Sequence, residues 1–330
     1  MEGHEAMFWE KDGDDRVRCL LCPHNCVIAP GRTGRCGVRK NEDGGLVSLS
    51  YGQTVTAVID PVEKKPLYHF MPGSRILSIG PNGCTLTCDH CQNWQISQEK
   101  APTQYIGVDD LVMMAGRDGS IGVAFTYTEP LIWYEYIMNA APRLREAGLK
   151  SVLVTNGFLE PDPAREIVSE VDAFNVDLKS FDDAFYRDHC GGSIEPVKEF
   201  IEIAAPRTHV EVTCLVIPGK NDGVDQIERM ARWLAGISRE IPLHLSRFFP
   251  HFRMQDVPPT PAETLQAAYE KAREYLDYVY IGNIFIRGTE DTRCPKCGTP
   301  VIERSGFTVG RRDEGGKCPE CGRSIKGVWS

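Results

Sequence analysis

Residues 75–91 read RILSIGPNGCTLTCDHC, an apolar run followed directly by three cysteines. The run Arg75–Ile79 has the length and apolar content of a buried strand. The turn residues Gly80-Pro81-Asn82-Gly83 end it, since glycine and proline interrupt regular structure. One loop at the carboxyl end of a predicted strand therefore carries all three cysteines, Cys84, Cys88 and Cys91.

Six further apolar runs follow and alternate with longer amphipathic stretches. The predicted strands are Ile121–Tyr127, Ser151–Val154, Ala173–Leu178, Val210–Ile217, Leu243–Phe248 and Tyr278–Ile281. The predicted helices lie near 108–117, 130–147, 162–170, 195–204, 224–236 and 261–276. Strand–helix alternation builds a parallel sheet, and six or more repeats favour a full or partial barrel. The expected fold class is α/β, a partial (β/α)6 TIM-like barrel.

Regions of different composition flank this alternating part of the chain. Glycine, turn residues and cysteine dominate at both ends, where small metal-binding modules are expected. The predicted division is a Cys-rich N-terminal region at 1–50, the barrel at 51–288 and a zinc-ribbon or rubredoxin-like module at 289–330.

The cysteine distribution favours metal sites over disulfides. Eleven of the 13 cysteines fall in three tight groups in a chain of 330 residues without an export signal. Disulfides would instead join distant loops of a small secreted protein. The net charge of −9 argues against broad binding to nucleic acid or anionic membranes. With no apolar run of about 18 residues, a cytoplasmic location is expected.

The three central thiolates can bind three corners of a cubic four-iron cluster, for which cysteine is the usual ligand. The missing fourth ligand leaves one iron open for catalysis. The alternatives are a structural zinc knuckle, for which His90 is available as the fourth ligand, or simply buried cysteines.

Several motifs give the sequence a family resemblance. The spacing C-x3-C-x2-C resembles the signature of the radical S-adenosylmethionine (SAM) superfamily, and Cys91-Gln92-Asn93-Trp94 resembles its pyruvate formate-lyase activating-enzyme branch. Five segments resemble the subgroup called AmmeMemoRadiSam system radical SAM enzymes: residues 19–26 (CLLCPHNC), 34–39 (GRCGVR), 126–130 (TYTEP), 176–179 (VDLK) and 280–283 (YIGN).

This resemblance implies a [4Fe-4S] cluster whose open iron binds SAM, reductive cleavage of SAM to a 5′-deoxyadenosyl radical, and hydrogen abstraction from a substrate. By position after strands or by resemblance, the expected SAM contacts are His90, Tyr127, Thr128, Glu129, Asn156, Asp177, Lys179, His244 and Arg247. Glu129 would bind the methionine ammonium, Lys179 the carboxylate or ribose, and Asn156 the ribose. Each also has a structural reading, such as a helix N-terminal acid for Glu129 or a core histidine for His244.

Two more cysteine groups predict further metal sites. The C-terminal group consists of two C-x2-C turns, Cys294/Cys297 and Cys318/Cys321, which can close a tetrahedral S4 site for zinc or iron. The N-terminal group consists of Cys19, Cys22, Cys26 and Cys36, with His24 as a substitute ligand. It allows either a closed zinc site or an auxiliary cluster.

Three functions compete at this level. The first is a radical enzyme acting on a small molecule, lipid or protein side chain with an electron donor as partner. The second is an activase that makes a glycyl radical on a partner protein. The third is a zinc-ribbon structural or regulatory protein without catalysis. The subgroup name also implies partner proteins from the two other AmmeMemoRadiSam families.

Overall fold

In the computed structural model, which describes residues 3–13 and 15–329, the chain begins with short antiparallel strands. Their bounds are β1 (His4–Glu5), β2 (Trp9–Lys11), β3 (Val17–Cys19), β4 (Val27–Ile28), β5 (Arg39–Glu42), β6 (Gly45–Ser48) and β7 (Gln53–Thr54). They form two three-stranded sheets, β1-β6-β5 and β2-β3-β4, while β7 pairs with β10 (Gln104–Tyr105). The cysteine-rich start of the chain thus has regular structure that its irregular composition did not predict.

An eight-stranded sheet forms the centre of the molecule. Its strands are β8 (Thr56–Pro61), β9 (Arg75–Gly80), β11 (Ser120–Phe125), β12 (Lys150–Thr155), β13 (Ala173–Asp177), β14 (His209–Val216), β15 (Leu243–Arg247) and β16 (Val279–Gly282). They are paired in this order, and only β8 runs antiparallel to its neighbour. The predicted parallel α/β sheet is confirmed. Because β8 and β16 form its two edges, this pairing does not itself close the sheet, and the partial barrel stays a prediction.

Helices connect the parallel strands. They are α1 (Trp94–Ser97), α2 (Val108–Ala115), α3 (Tyr134–Glu146), α4 (Pro161–Glu170), α5 (Asp183–Phe185), α6 (Glu195–Ala204), α7 (Val224–Ile237) and α8 (Ala262–Arg273). Two 3-10 turns, Val62–Lys64 and Pro130–Trp133, and a π-helical turn, Tyr186–Cys190, complete the set. All six predicted helices are present. Within the described ranges, no helix is both long and apolar enough to cross a membrane.

The C-terminal module is a three-stranded antiparallel sheet of β17 (Thr292–Arg293), β18 (Pro300–Ser305) and β19 (Thr308–Arg311). Its Arg304 is buried and donates 2.6 Å to the carbonyl of Tyr68, over whose ring the guanidinium lies at 4.1 Å. Glu63 lies 3.9 Å from the same guanidinium. These buried contacts fix the module to the segment between β8 and β9. The predicted domain boundaries stay predictions.

Candidate functional site

The cysteine loop after β9 borders a cavity of about 540 Å³ at the carboxyl ends of the parallel strands. Cys84, Cys88 and Cys91 all line this cavity. Seven of the nine predicted SAM contacts line it too: His90, Tyr127, Thr128, Glu129, Asn156, Asp177 and Lys179. The grouping follows from strand direction, because parallel strands in sequence order bring their carboxyl ends to one edge.

The sulfurs of the loop accept hydrogen bonds, as thiolate ligands do. The backbone N–H of Leu86 donates to Cys84 Sγ at 3.4 Å, and the Asn156 amide lies 3.6 Å from the same sulfur. Ser97 Oγ lies 3.2 Å from Cys91 Sγ. Among the described residues, the three sulfurs do not form a group within 4.8 Å of one another, the spacing that would suit a single ion. A four-iron cube, in which each sulfur binds a different iron, fits this wider set.

A fourth cysteine lies beside the loop. Cys88, His90 and Cys190, all buried, have their ligand atoms within 4.8 Å of one another. The π-helical turn reaches the loop through a 2.8 Å bond from the Thr87 N–H to the Cys190 carbonyl. At Gly191, whose φ is +71°, a Cβ would lie 2.6 Å from Thr87 Oγ1. Only glycine allows this approach, and the Cys-Gly-Gly sequence was the one signal for it.

Glu129 is buried and holds neighbouring strand ends together. Its carboxylate accepts from Thr155 Oγ1 at 2.6 Å, from the Asn156 N–H at 2.8 Å and from the Leu131 N–H at 2.9 Å. The last bond caps the 3-10 turn, so the structural reading of this acid also holds. Burial raises the pKa of Glu129 to about 7, despite these three donors. The side chain is thus poised between a neutral and an ionised form at the cavity wall.

Lys179 and Asp177 form an ion pair at the end of β13. Their Nζ and Oδ2 atoms are 3.0 Å apart. Burial opposes the charge on Lys179, but the Asp177 carboxylate and the thiol of Cys88 raise its pKa well above the usual value. A cation therefore lies between the cysteine loop and an acid, a pairing suited to a zwitterionic ligand.

Three residues that line the cavity, Lys64, Lys65 and Tyr127, share a charge network with Asp60 that the sequence did not indicate. Asp60, at the end of β8, binds Lys65 at 2.7 Å, Lys64 at 2.9 Å and the Tyr127 hydroxyl at 2.7 Å. Together the two lysines and the hydroxyl lower the pKa of Asp60, against the opposing effect of burial. β8 pairs antiparallel with β9, and because residues 62–74 separate the two strands, no two-residue hairpin turn predicts this pairing.

His90 and Phe307 add apolar surface to the cavity. His90 is buried, its Nδ1 has no partner among the described residues, and burial lowers its pKa to about 3, so its ring is neutral. Phe307, at the turn between β18 and β19, is 56% exposed and lines the same cavity. The C-terminal module thus contributes to the wall, which the sequence did not predict.

His244 and Arg247 do not line this cavity, so the structure does not bring them to the other predicted contacts. His244 is buried and binds Glu211 at 2.6 Å, while Glu211 accepts from the backbone of Tyr68 and His69. His244 lies near the start of β15, away from the carboxyl edge of the sheet. Arg247, predicted to contact SAM, instead uses its Nε to donate a 2.8 Å hydrogen bond to the carbonyl of Thr260.

The C-terminal cysteines have the geometry of a single-ion site. The sulfurs of Cys294 and Cys321 are 3.5 Å apart, as are those of Cys297 and Cys318, and all four lie within 4.8 Å of one another. Tetrahedral zinc with Zn–S bonds of about 2.3 Å requires such a spacing. A metal site at these four cysteines is therefore supported, and zinc and iron both fit it.

The N-terminal cysteines also lie together. Cys19, Cys22, Cys26 and Cys36 surround a small enclosed cavity that His24 also lines. His24 Nε2 lies 2.7 Å from the carbonyl of Thr85, in the loop of the central cysteines. The N-terminal group therefore borders that loop.

Comparison with known proteins agrees with the α/β fold and the cysteine loop described above. The sequence profile of the Radical SAM superfamily matches residues 78–234. An uncharacterized protein of Methanocaldococcus jannaschii is 41% identical over 330 residues, covering 97% of this chain and 98% of that protein. The benzylsuccinate synthase activating enzyme of Thauera aromatica is 25% identical over 182 residues, covering 53% of this chain and 55% of that enzyme.

Among solved structures, the crystal structure of Streptococcus suis SuiB has a TM-score of 0.50 at 13% identity, covering 67% of this chain and 51% of that chain. At this identity the likeness shows the fold alone. The matching profile spans the cysteine loop and the strands β11 to β14. The chain belongs to the Radical SAM superfamily.

Proposed function

We propose that the chain is an enzyme that cleaves SAM reductively at the cavity described above. The observation that carries the proposal is the arrangement of three thiols and seven polar or aromatic contacts around one cavity. A cavity of about 540 Å³ is within the usual range for small-molecule sites. Glu129 and Lys179 in the cavity wall complement the ammonium and the carboxylate of the methionine part of SAM.

The donor set fits a cluster held by Cys84, Cys88 and Cys91. All three residues carry free thiols, hydrogen-bond donors face two of the sulfurs, and Lys179 supplies a nearby cation. When bound, a four-iron cluster with one open iron supplies the electron that splits SAM into methionine and a 5′-deoxyadenosyl radical.

The residues of the chain orient SAM in this proposal. Ionised Glu129 accepts the methionine ammonium, for which its three donors fix the position of the carboxylate. Lys179 pairs with the methionine carboxylate, and Asp177 keeps that lysine charged and in place. Asn156 donates to the ribose, and the neutral ring of His90 stacks on the adenine. Tyr127 and Thr128 complete the wall.

The test is anaerobic reconstitution with iron and sulfide, followed by dithionite and SAM. We expect 5′-deoxyadenosine from the wild type and none from Cys88→Ala. Cys214→Ala is the matched control, because Cys214 is also buried but lies within β14 and does not line the cavity. A colourless protein that binds zinc at Cys88, His90 and Cys190 and does not cleave SAM would contradict the proposal and favour the structural alternative.

An activase that makes a glycyl radical on a partner protein is a second candidate. The similarity to an activating enzyme over about half of each chain favours it. Incubation with SAM and a candidate partner protein would give a glycyl radical signal in electron paramagnetic resonance spectra. If instead 5′-deoxyadenosine forms only with a small molecule, the first candidate holds.

The finer family assignment is also part of the proposal. We propose membership of the AmmeMemoRadiSam subgroup, a partial barrel, a cytoplasmic location and an external electron donor. The quoted motifs support the subgroup, and a cavity lined by residues on, or directly after, the successive strands β11 to β16 supports the barrel. Co-purification from the native organism with proteins of the two other AmmeMemoRadiSam families would test the partners.

A further inference from the structure

The four N-terminal cysteines enclose a cavity that a single ion does not explain. The centre of a water-sized sphere can occupy about 20 Å³ within this cavity, so the four sulfurs are held well apart. Four sulfurs closed on one zinc ion at about 2.3 Å would leave no such space. In the described part of the chain these sulfurs also form no group within 4.8 Å, whereas the four C-terminal sulfurs do.

Backbone N–H groups point at these sulfurs. Arg35 N–H donates to Cys26 Sγ at 3.5 Å. Further backbone N–H groups lie close to the other sulfurs: that of Leu21 beside Cys19, that of His24 beside Cys22, and those of Val38 and Arg39 beside Cys36. Hydrogen bonds to sulfur are a regular feature of iron–sulfur sites, where they stabilise the thiolates.

A buried cation faces the same cavity. Arg39 lines it, is 1% exposed, and uses Nη2 to pair with Glu135 at 2.9 Å. Its Nε and Nη1 have no hydrogen-bond partner among the described residues. Buried charged donors without partners are costly, so an anionic group in the cavity would complete this site.

We propose that Cys19, Cys22, Cys26 and Cys36 bind a second, fully ligated four-iron cluster. Each thiolate binds a different iron, which accounts for the wide spacing of the sulfurs. The cluster with its four thiolates is an anion and satisfies Arg39. Because no iron stays open, this cluster stores or transfers an electron rather than binding a substrate.

The second site lies directly against the loop of the first. Thr85 lines the N-terminal cavity, while its neighbour Cys84 lines the large cavity. At Gly83 a Cβ would lie 2.6 Å from the carbonyl of Cys36. One peptide unit therefore separates the walls of the two sites. An electron from a low-potential one-electron donor can pass from the second cluster to the first over this short path, each cluster being reduced by one electron in turn.

The test counts acid-labile sulfide per chain after anaerobic reconstitution, because a mononuclear ion at the C-terminal site adds none. We expect about eight sulfides in the wild type, about four in the triple variant Cys84→Ala/Cys88→Ala/Cys91→Ala and about four in Cys22→Ala/Cys26→Ala. Cys214→Ala should keep about eight. The reduced triple variant should show a cluster signal in electron paramagnetic resonance that SAM does not change.

The triple variant gives this result even if the N-terminal variant does not fold. A triple variant without sulfide that carries two zinc ions would overturn the proposal, because the N-terminal site would then be structural. The proposal is independent of SAM cleavage. If the wild type makes no 5′-deoxyadenosine while the triple variant keeps about four sulfides, the second cluster stands and only the proposed function fails.

Discussion

The carboxylate of Glu129 accepts a 2.8 Å hydrogen bond from the backbone N–H of Asn156, which joins the ends of β11 and β12. Both residues line the large cavity, and Asn156 also reaches Cys84. One acid therefore connects the strand ends, the cysteine loop and the proposed ammonium site.

The pH dependence of SAM binding should report the protonation of Glu129. Its pKa is raised to about 7, so the carboxyl is mostly neutral at pH 6 and mostly ionised at pH 8. Only the ionised form pairs with an ammonium, so affinity should fall about tenfold from pH 8 to pH 6. Equilibrium dialysis under anaerobic conditions measures it. Glu129→Gln should remove this component and retain only the titration of SAM itself; equal pH profiles for both proteins would refute the assignment.

Replacement of Lys179 should weaken SAM binding. Lys179→Met removes the cation and leaves Asp177 without its partner, so the affinity should fall about tenfold or more. Lys198 on α6 pairs with Glu195 at 2.9 Å and does not line the cavity, so Lys198→Met should leave the affinity unchanged. Equal losses in both variants would mean that the effect is not local.

Cys190 should be dispensable for the catalytic cluster although it lies beside Cys88. Cys190→Ala should keep the sulfide content and the yield of 5′-deoxyadenosine. Cys91→Ala should lose the sulfide of the catalytic cluster and form no 5′-deoxyadenosine. The reason is that Cys84 and Cys91, and not Cys190, share the cavity with Cys88. If Cys190→Ala behaves like Cys91→Ala, Cys190 is a ligand and the first iron–sulfur site is closed.

Arg304 should contribute more to stability than other arginines of its hairpin. Arg304→Met leaves buried Glu63 without its cation and the Tyr68 carbonyl without its donor, at a cost of about 3 kcal/mol of unfolding free energy. Arg312 forms an exposed pair with Glu303, so Arg312→Met should cost no more than about 1 kcal/mol. Urea unfolding of the reconstituted proteins measures both values. A similar cost for the two variants would show that the buried pair does not hold the module.

The sheet was predictable because each of its parallel strands is a short apolar run between helices. The antiparallel edge strand β8 was not, since 13 residues, 62–74, separate it from β9 and no tight turn marks the pairing. No signal in the sequence therefore indicated that Lys65 lines the cavity and pairs with Asp60. The position of Cys190 beside Cys88 was not predictable for the same reason, because about 100 residues separate the two and only the tertiary fold brings them together.

Position along a strand explains where the predicted contacts succeed or fail to meet. Asp177 ends β13 and Lys179 follows it, so both reach the carboxyl edge. His244 is the second residue of β15 and lies too early in the strand, a fact that the predicted bounds already contained. Arg247 ends the same strand, but its side chain turns to Thr260, a contact that depends on a loop and that no local pattern encodes.

Phe307 connects the module of the C-terminal cysteines with the large cavity. Phe307 lies at the turn between β18 and β19, in the module that also contains the four C-terminal cysteines, and it lines the large cavity. Oxidants that strip the ion from those cysteines would loosen this wall and admit solvent. If the chain cleaves SAM as proposed, a radical formed in the cavity would then be quenched before it reached the substrate, so loss of a metal ion from the C-terminal cysteines would stop turnover although the SAM-binding residues are intact.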